Sequence, residues 1–449
     1  MEILSKRFFN NIILTGGTTL FPNFKERLEK EIKQIIPDKM EIKIIADPDR
    51  KYSSWIWSFG FENSTSDSDG IFGDSTYKLT ETNSQFISNQ NNYKAINTRN
   101  IIGNLINESN LINLSKSQYI GNEAQENKEI LNLSYPIQKG IIENWDNMEK
   151  MWHHIFYNEL KIAPEEHPVL IADSPFNPKS SKEKIQEIMF ETFNVSGFYL
   201  ANSGILTLYS TGRTTGFVFG IGHEITFTEP IYEGYESSNI IDQYQFGGND
   251  LTNYLIKLLK EQDYSFDKSN DTEIARDIKE KLCYCSLNFQ QELNQNETEN
   301  QNQNETELED IYELKNGDII NISNERIKCC ECLFEPKIIG IDLEGIHKLI
   351  YNSIMKCDIS SRKDFFNNII LTGGTTLFPN FKERLEKEIK QIIPDKMKVK
   401  IIADPNRKYS SWIGGSILAS LSTFQNMWIS KELYSESEDE DMMSYGGLF

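Results

Sequence analysis

The sequence predicts an α/β fold, and three observations carry that prediction. One strand–turn–helix–strand unit is written twice, at Phe8–Ile56 and again at Phe365–Ile413. The copies differ only by Glu41 for Lys398, Ile42 for Val399 and Asp49 for Asn406. Between them, short apolar runs alternate with stretches whose apolar residues recur every three or four positions, the pattern of strands interleaved with helices. With 449 residues, 38% of them apolar, the chain can bury more than one core, and two or three domains are expected.

The repeated unit is legible piece by piece. Asn368–Leu371 is a short apolar strand that ends at Thr372-Gly373-Gly374-Thr375-Thr376. Two adjacent glycines let backbone N–H groups converge where a Cβ would intrude, which suits a phosphate cradle and equally an ordinary crossover turn. Pro379 fits a first helical turn, and Phe381, Leu385, Ile389 and Ile392 give one buried face before Pro394 stops the helix. A strand follows, alternating at Met397, Val399 and Ile401 and then wholly apolar through Ile402 and Ala403.

In chain order, residues 1–57 are the extra copy, closing on Trp55-Ile56-Trp57. Glu62–Asp69 is small and polar. Tyr77–Ser117 is rich in Asn, Ser and Thr, so it is expected to be weakly ordered or a tolerant surface subdomain. From Tyr119 the signal sharpens: strand runs such as ILNLSYPI (130–137) and HPVLIADS (167–174) alternate with helix patterns at Asn147–Leu160 and Ser180–Phe193. Asn294–Asp310 has no apolar face and reads as a surface loop, and Ser435–Asp441 is an acidic block expected to stay solvated.

Charge narrows the function classes. Asp and Glu number 67 against 46 Lys and Arg, a net charge of −21, which argues against nucleic acid or an anionic membrane as partner and favours basic proteins or peptides. The absence of an export signal or a long apolar run predicts a cytosolic protein. Its cysteines (Cys283, Cys285, Cys329, Cys330, Cys332, Cys357) are expected to be reduced, half-buried and on strands. Cys329 and Cys332 have CxxC spacing, but Cys283 and Cys285 do not complete a zinc site, so no metal is expected there.

Several longer motifs carry a resemblance. LYSTGRTTG (Leu208–Gly216), PIYEGY (Pro230–Tyr235), TEIARDIKEKLCY (Thr272–Tyr284), NSIMKCDI (Asn352–Ile359), both GGTTLFPN turns and RKYSSWIGGSILASLSTFQNMWISKELY (Arg407–Tyr434) resemble actin. Tyr119–Tyr434 is thereby identified as a member of the actin family, with a poor match before Tyr119. The resemblance implies the two-lobed actin-like fold shared with sugar kinases, two α/β lobes around a cleft that clamps ATP or ADP with Mg or Ca. The expected boundaries are 1–57 for the duplicated segment, 58–210 for the first lobe, 211–408 for the second lobe with its Asn-rich loop 294–310, and 409–449 for the return to the first lobe with the acidic tail.

Residue by residue, the resemblance predicts a weakened phosphate grip. The first phosphate turn should fall at Glu62–Asp74, where only Phe72–Asp74 matches, no lysine is present, and Asp67 and Asp69 add negative charge. The second should fall at Gly220-Ile221-Gly222-His223-Glu224, where both family aspartates are missing and Glu224 replaces a glycine. One carboxylate about 5 Å from a unit phosphate charge costs on the order of 3 kcal/mol at an effective dielectric of about 20. That is roughly a hundredfold in affinity. Ser203 and Phe227 stand where the family places the Gln and His that handle the attacking water, and Lys139 replaces another family His. An actin-type ATPase is therefore expected to be weak or absent, and the metal to bind only with nucleotide.

Two other sites are better kept. Arg276, Lys279, Glu280, Gly373, Gly374, Leu377, Phe378 and Lys408 match the family's base and ribose contacts, and the same residues also suit plain packing of the second lobe. Tyr209, Thr211, Gly212, Thr214, Ile413, Ile417, Leu418, Leu421, Thr423 and Met427 match the groove that receives partner helices. Ile413, Ile417, Leu421 and Met427 are expected on one helical face. The partners implied are actin or actin-binding proteins. Asn104–Ser117 replaces the family's loop for the opposite contact, so end-to-end self-assembly is doubtful. The N-terminal copy reads as a loosely docked appendage, the product of a faulty reading frame, or a segment for exchange between chains. The leading function is a divergent cytoskeletal binding or filament-associated subunit; the alternatives are an ATP-binding filament former and a degenerate product.

Overall fold

The computed structural model describes residues 12–13, 44–45, 85–89, 92–93, 101–105, 118–127, 130–236, 240–262, 264, 271–300, 310–314, 317, 319–394 and 397–436. The chain divides into two compact units, Met1–Gly73 and Asp74–Phe449. In the first, Ile12–Ile13 and Ile44–Ile45 form a parallel pair, Ile12 opposite Ile44 and Ile13 opposite Ile45. The expected phosphate turn at Glu62–Asp74, the acidic block Ser435–Asp441 except its first two residues, and all but the first two residues of Asn104–Ser117 lie outside the described residues.

In the second unit, two mixed sheets are built from β1 (Gln85–Asn89), β2 (Asn92–Tyr93), β3 (Pro168–Asp173), β4 (Gly197–Asn202), β5 (Gly216–Ile221), β6 (Thr226–Tyr232), β7 (Tyr235–Glu236), β8 (Asp242–Tyr244), β9 (Ile369–Thr372), β10 (Ile401–Ile402) and β11 (Ile429–Ser430). One sheet runs β11-β4-β3-β1-β2 and the other β7-β6-β5-β9-β10, with β8 also on β6. The parallel pair β3–β4 sets Asp173 beside Asn202, and β11 returns antiparallel to β4 from far along the chain. Val169–Ala172 and Phe217–Phe219 are buried throughout, as continuous apolar strands covered on both faces must be.

Helices supply those covers. The pattern at Asn147–Leu160 forms an α-helix over Trp145–His153 that widens into a π-helical stretch to Leu160, with the Asn144 side chain accepting from the Asn147 N–H at 2.9 Å. That at Ser180–Phe193 does likewise, α-helical over Lys179–Glu187 and wider through Thr192. Later argument uses α1 (Ser203–Ser210), α2 (Asp271–Leu282), α3 (Phe289–Asn300), α4 (Phe381–Ile392) and α5 (Ser410–Ser420). Helices α1 and α5 touch backbone to backbone: a Cβ on Gly414 would fall 1.7 Å from the Leu206 carbonyl oxygen. None of the helices among the described residues is long and apolar enough to cross a membrane.

The structure revises several expectations. Asn294–Asn300 continues α3 rather than looping, since NQNETEN has no Gly or Pro to end the helix; residues 301–309 of the expected loop lie outside the described residues, and Asp310 begins a hairpin strand. The strand expected from Met397 is confined to Ile401–Ile402, and Pro379 precedes α4 instead of sitting in its first turn. The six cysteines are fully buried and lie in or beside helices, not half-buried on strands. Small and weakly polar, they fill the core where Cys329 and Cys330 meet Ile278 and Leu333.

Candidate functional site

The cleft forms where β5 and β9 end side by side. Beyond β5 the chain turns through Gly222–Ile225 into β6, and beyond β9 it turns through Gly373 and Gly374. Gly373 has φ +88°, and a Cβ there would fall 2.2 Å from the Ile221 carbonyl oxygen, so the close approach of the two turns requires glycine. Thr375 Oγ1 donates to the Gly222 carbonyl at 2.8 Å and ties one turn to the other. Helix α2 faces them, burying Ala275 and Ile278 in the core and so presenting the neighbouring Arg276, Lys279 and Glu280 to the gap.

These elements enclose a cavity of about 560 Å³ that Arg276, Lys279, Glu280, Gly373, Gly374, Leu377, Phe378 and Lys408 all line, together with Ser203, Gly222, His223, Glu224 and Phe227. Gly220 does not line it. That residue sits inside β5 opposite Phe227, whose ring would lie 2.2 Å from an added Cβ, so the strand runs further than the expected turn.

Charges in the cleft are mostly engaged. Lys279 is buried, and its ammonium donates to the Gly248 carbonyl at 2.6 Å and to Thr252 Oγ1 at 2.9 Å. Burial lowers its pKa, as it does that of Lys408. Arg276 Nη1 pairs with Glu273 Oε1 at 2.8 Å, and the Tyr135 hydroxyl donates to the same oxygen at 3.0 Å. Burial and Glu273 push the Tyr135 hydroxyl up to about 12. The Lys139 N–H, in a hairpin turn with φ 49° at Lys139 and 76° at Gly140, donates to Glu224 Oε2 at 2.5 Å. His223 lies 3.4 Å from Arg276 Nη2, and burial, then Arg276 and Lys279, bring its pKa down to about 4. It is neutral at neutral pH.

A second cavity, about 350 Å³, opens beside α5. Tyr209, Leu418, Leu421, Thr423 and Met427 line it; Thr211, Gly212, Thr214, Ile413 and Ile417 are not among its lining residues. The expected single helical face is not formed. Helix α5 ends at Ser420, Leu421 turns extended (φ −72°, ψ 131°), and Met427 closes a separate 3-10 turn, Ser422–Met427.

The sequence reading missed the polar end of this cavity. Asp173, Lys182, Asn202 and Glu236 line it, and Glu229 stands behind Asn202. Asn202 caps α1, its Oδ1 accepting from the Gly204 and Ile205 N–H groups at 2.7 and 3.3 Å. Its Nδ2 donates to Glu229 Oε1 at 2.8 Å and also to Glu236 Oε2. Glu229 is fully buried with no partner at Oε2, and burial, then Glu236, push its pKa up to about 8. Burial likewise raises Asp173 to about 6, despite Lys182 at 3.9 Å and the Asn177 amide at 2.8 Å. One signal was available: TFTEPIY places a lone carboxylate within an otherwise apolar and threonine-rich strand.

Compared with known families, residues 2–58 and 88–441 match the family model described as Actin. The unmatched interval 59–87 contains the stretch where the first phosphate turn was expected.

Proposed function

The chain belongs to the actin family, and on that premise we propose that it is a divergent actin-like cytoskeletal protein, a binding or filament-associated subunit with impaired nucleotide hydrolysis. The observation that carries this reading is the turn after β5. There a neutral His223 and the Glu224 carboxylate face the cleft, and Glu224 is already clasped to the Lys139 N–H. A carboxylate at that place repels a polyphosphate and gives a hydrated cation no matched pair of ligands. On the cleft wall, Ser203 has a shorter side chain than the Gln it replaces and Phe227 has no polar atom, so neither would orient an attacking water as those residues would.

The family's cofactor thus fits at one end only. Arg276, Glu280, Leu377, Phe378 and Lys408 around the Gly373–Gly374 turn suit a base and ribose, so ATP or ADP would be held by its nucleoside; among the described residues, the phosphate and metal end does not fit. Calorimetric titration with Mg-ATP, followed by phosphate release, tests the proposal. Affinity weaker than micromolar without released phosphate is expected; micromolar or tighter binding with turnover would overturn it. That same gathering of the nucleoside-side residues on one cavity favours a second reading, an ATP-binding actin that polymerises, and the titration decides between them. For partners, the groove beside α5 supports actin or actin-binding proteins.

A further inference from the structure

Helix α1 is a passage from one sheet to the other, leaving β4 of the first at Asn202 and leading to β5 of the second at Gly216. Its first turns also part the two cavities, with Ser203 and Thr207 on the cleft and Asn202 and Ile205 on the other. Glu229 of β6 reaches Asn202 from behind and so ties the second sheet to the end of a strand in the first. We propose that Glu229 and Glu236 share a single proton, and that this proton is a latch on the start of α1: its loss to water frees Asn202 from β6 and loosens the turn on which both cavities are built.

Two carboxyl groups crowd one amide. Asn202 Nδ2 donates to Glu229 Oε1 at 2.8 Å and also to Glu236 Oε2, while its Oδ1 accepts the Gly204 and Ile205 N–H groups. The two carboxyls are themselves in hydrogen-bonding contact. Two ionised groups would repel there, whereas one shared proton turns the contact into a bond. Glu229 is fully buried and Glu236 exposed, so the proton belongs on Glu229. Gly204 makes the room, since a Cβ there would fall 1.8 Å from Glu229 Oε2. Val218, opposite Glu229 on β5, is neutral, and Asp242 on β8, opposite Thr228, is paired with Lys356. Among the described residues, Glu236 is the one charged group that acts on Glu229. Opening the turn to water returns the Glu229 carboxyl from about 8 to its ordinary 4.5, so opening releases one proton between those values. The latch is tightest below 4.5 and is lost as pH rises through about 8.

Amide hydrogen exchange on the full chain, corrected for the intrinsic rate at each pH, reads the latch at the Gly204 and Ile205 N–H groups. Their protection is expected to fall about tenfold per pH unit from about pH 5 to about 8 and to level beyond it. The amides of the core strand at Val169–Ala172 should stay at least about tenfold better protected throughout, which marks the opening as local. Glu229→Gln keeps an acceptor for Asn202 but cannot titrate, and should flatten the fall. Glu236→Gln, on an exposed side chain, should end the fall at a lower pH, because it removes a charge that helps to raise Glu229. Flat protection in the natural chain, an equal fall in Glu229→Gln, or exchange at the rate of the core amides would overturn the latch. If circular dichroism shows Glu229→Gln unfolded, Glu236→Gln decides, and an unchanged end point there overturns it.

Discussion

The two cavities of the second unit handle charge in opposite ways. Around the cleft, Lys279, Glu273 and Glu224 each hold a partner contributed by another element, and those bonds keep the walls in place. Beside α5, the carboxylates of Asp173 and Glu229 are buried with an oxygen left over. A satisfied polar network braces a fold, whereas an unsatisfied buried group costs stability.

Three measurements would break or sharpen that contrast. The largest effect should come from Glu229. Its carboxyl has an ordinary value of 4.5 and is raised to about 8 in the fold, so the folded state keeps the proton across that window. The stability this contributes is complete below 4.5 and is lost as pH rises through about 8, on the order of 4 kcal/mol by pH 9. Chemical denaturation of the natural chain and of Glu229→Gln across pH 5–9 should show the two curves separating steadily from about pH 5 to about 8 and levelling beyond it; parallel curves across pH 5–8 would mean that the carboxylate is not buried uncharged.

Next is the clasp in the cleft. Glu224→Gln keeps an acceptor for the Lys139 N–H but removes the negative charge, and should improve Mg-ATP affinity by up to about 3 kcal/mol. A titration showing no gain would mean that missing donors, not Glu224, limit the phosphate end. The smallest effect belongs to Tyr135→Phe, which removes one hydrogen bond to Glu273 and should cost about 1 kcal/mol of stability. A much larger loss would mean that the network around Arg276 acts as a unit.

How much was legible follows from how far apart the relevant residues lie. The buried face and the end of α4 could be read because apolar spacing and Pro394 are local signals, although its start was placed too early at Pro379, and the nucleoside-side residues fall on one cavity because their motifs are long. Asn202, Glu229 and Glu236 could not be grouped from the sequence. They come from the end of β4, the middle of β6 and the short strand β7, and only sheet pairing and the capping of α1 bring them within one amide's reach. The end of α5 was equally hidden, because its apolar spacing continues past the residue where the backbone turns extended.

The repeated segment separates the two kinds of information most cleanly. In both copies the same isoleucines pair in the same parallel register, Ile12 with Ile44 and Ile369 with Ile401, because strand and return strand are specified by adjacent text. In the second copy, β9 also pairs with β5, Ile369 lying opposite Phe217, and so becomes an interior strand buried on every residue. The amino acids alone determined the local pairing. Only the tertiary structure decided that the strand of the second copy lies inside a sheet, since that depends on a neighbouring strand more than a hundred residues away along the chain and on the apolar surface both strands can bury.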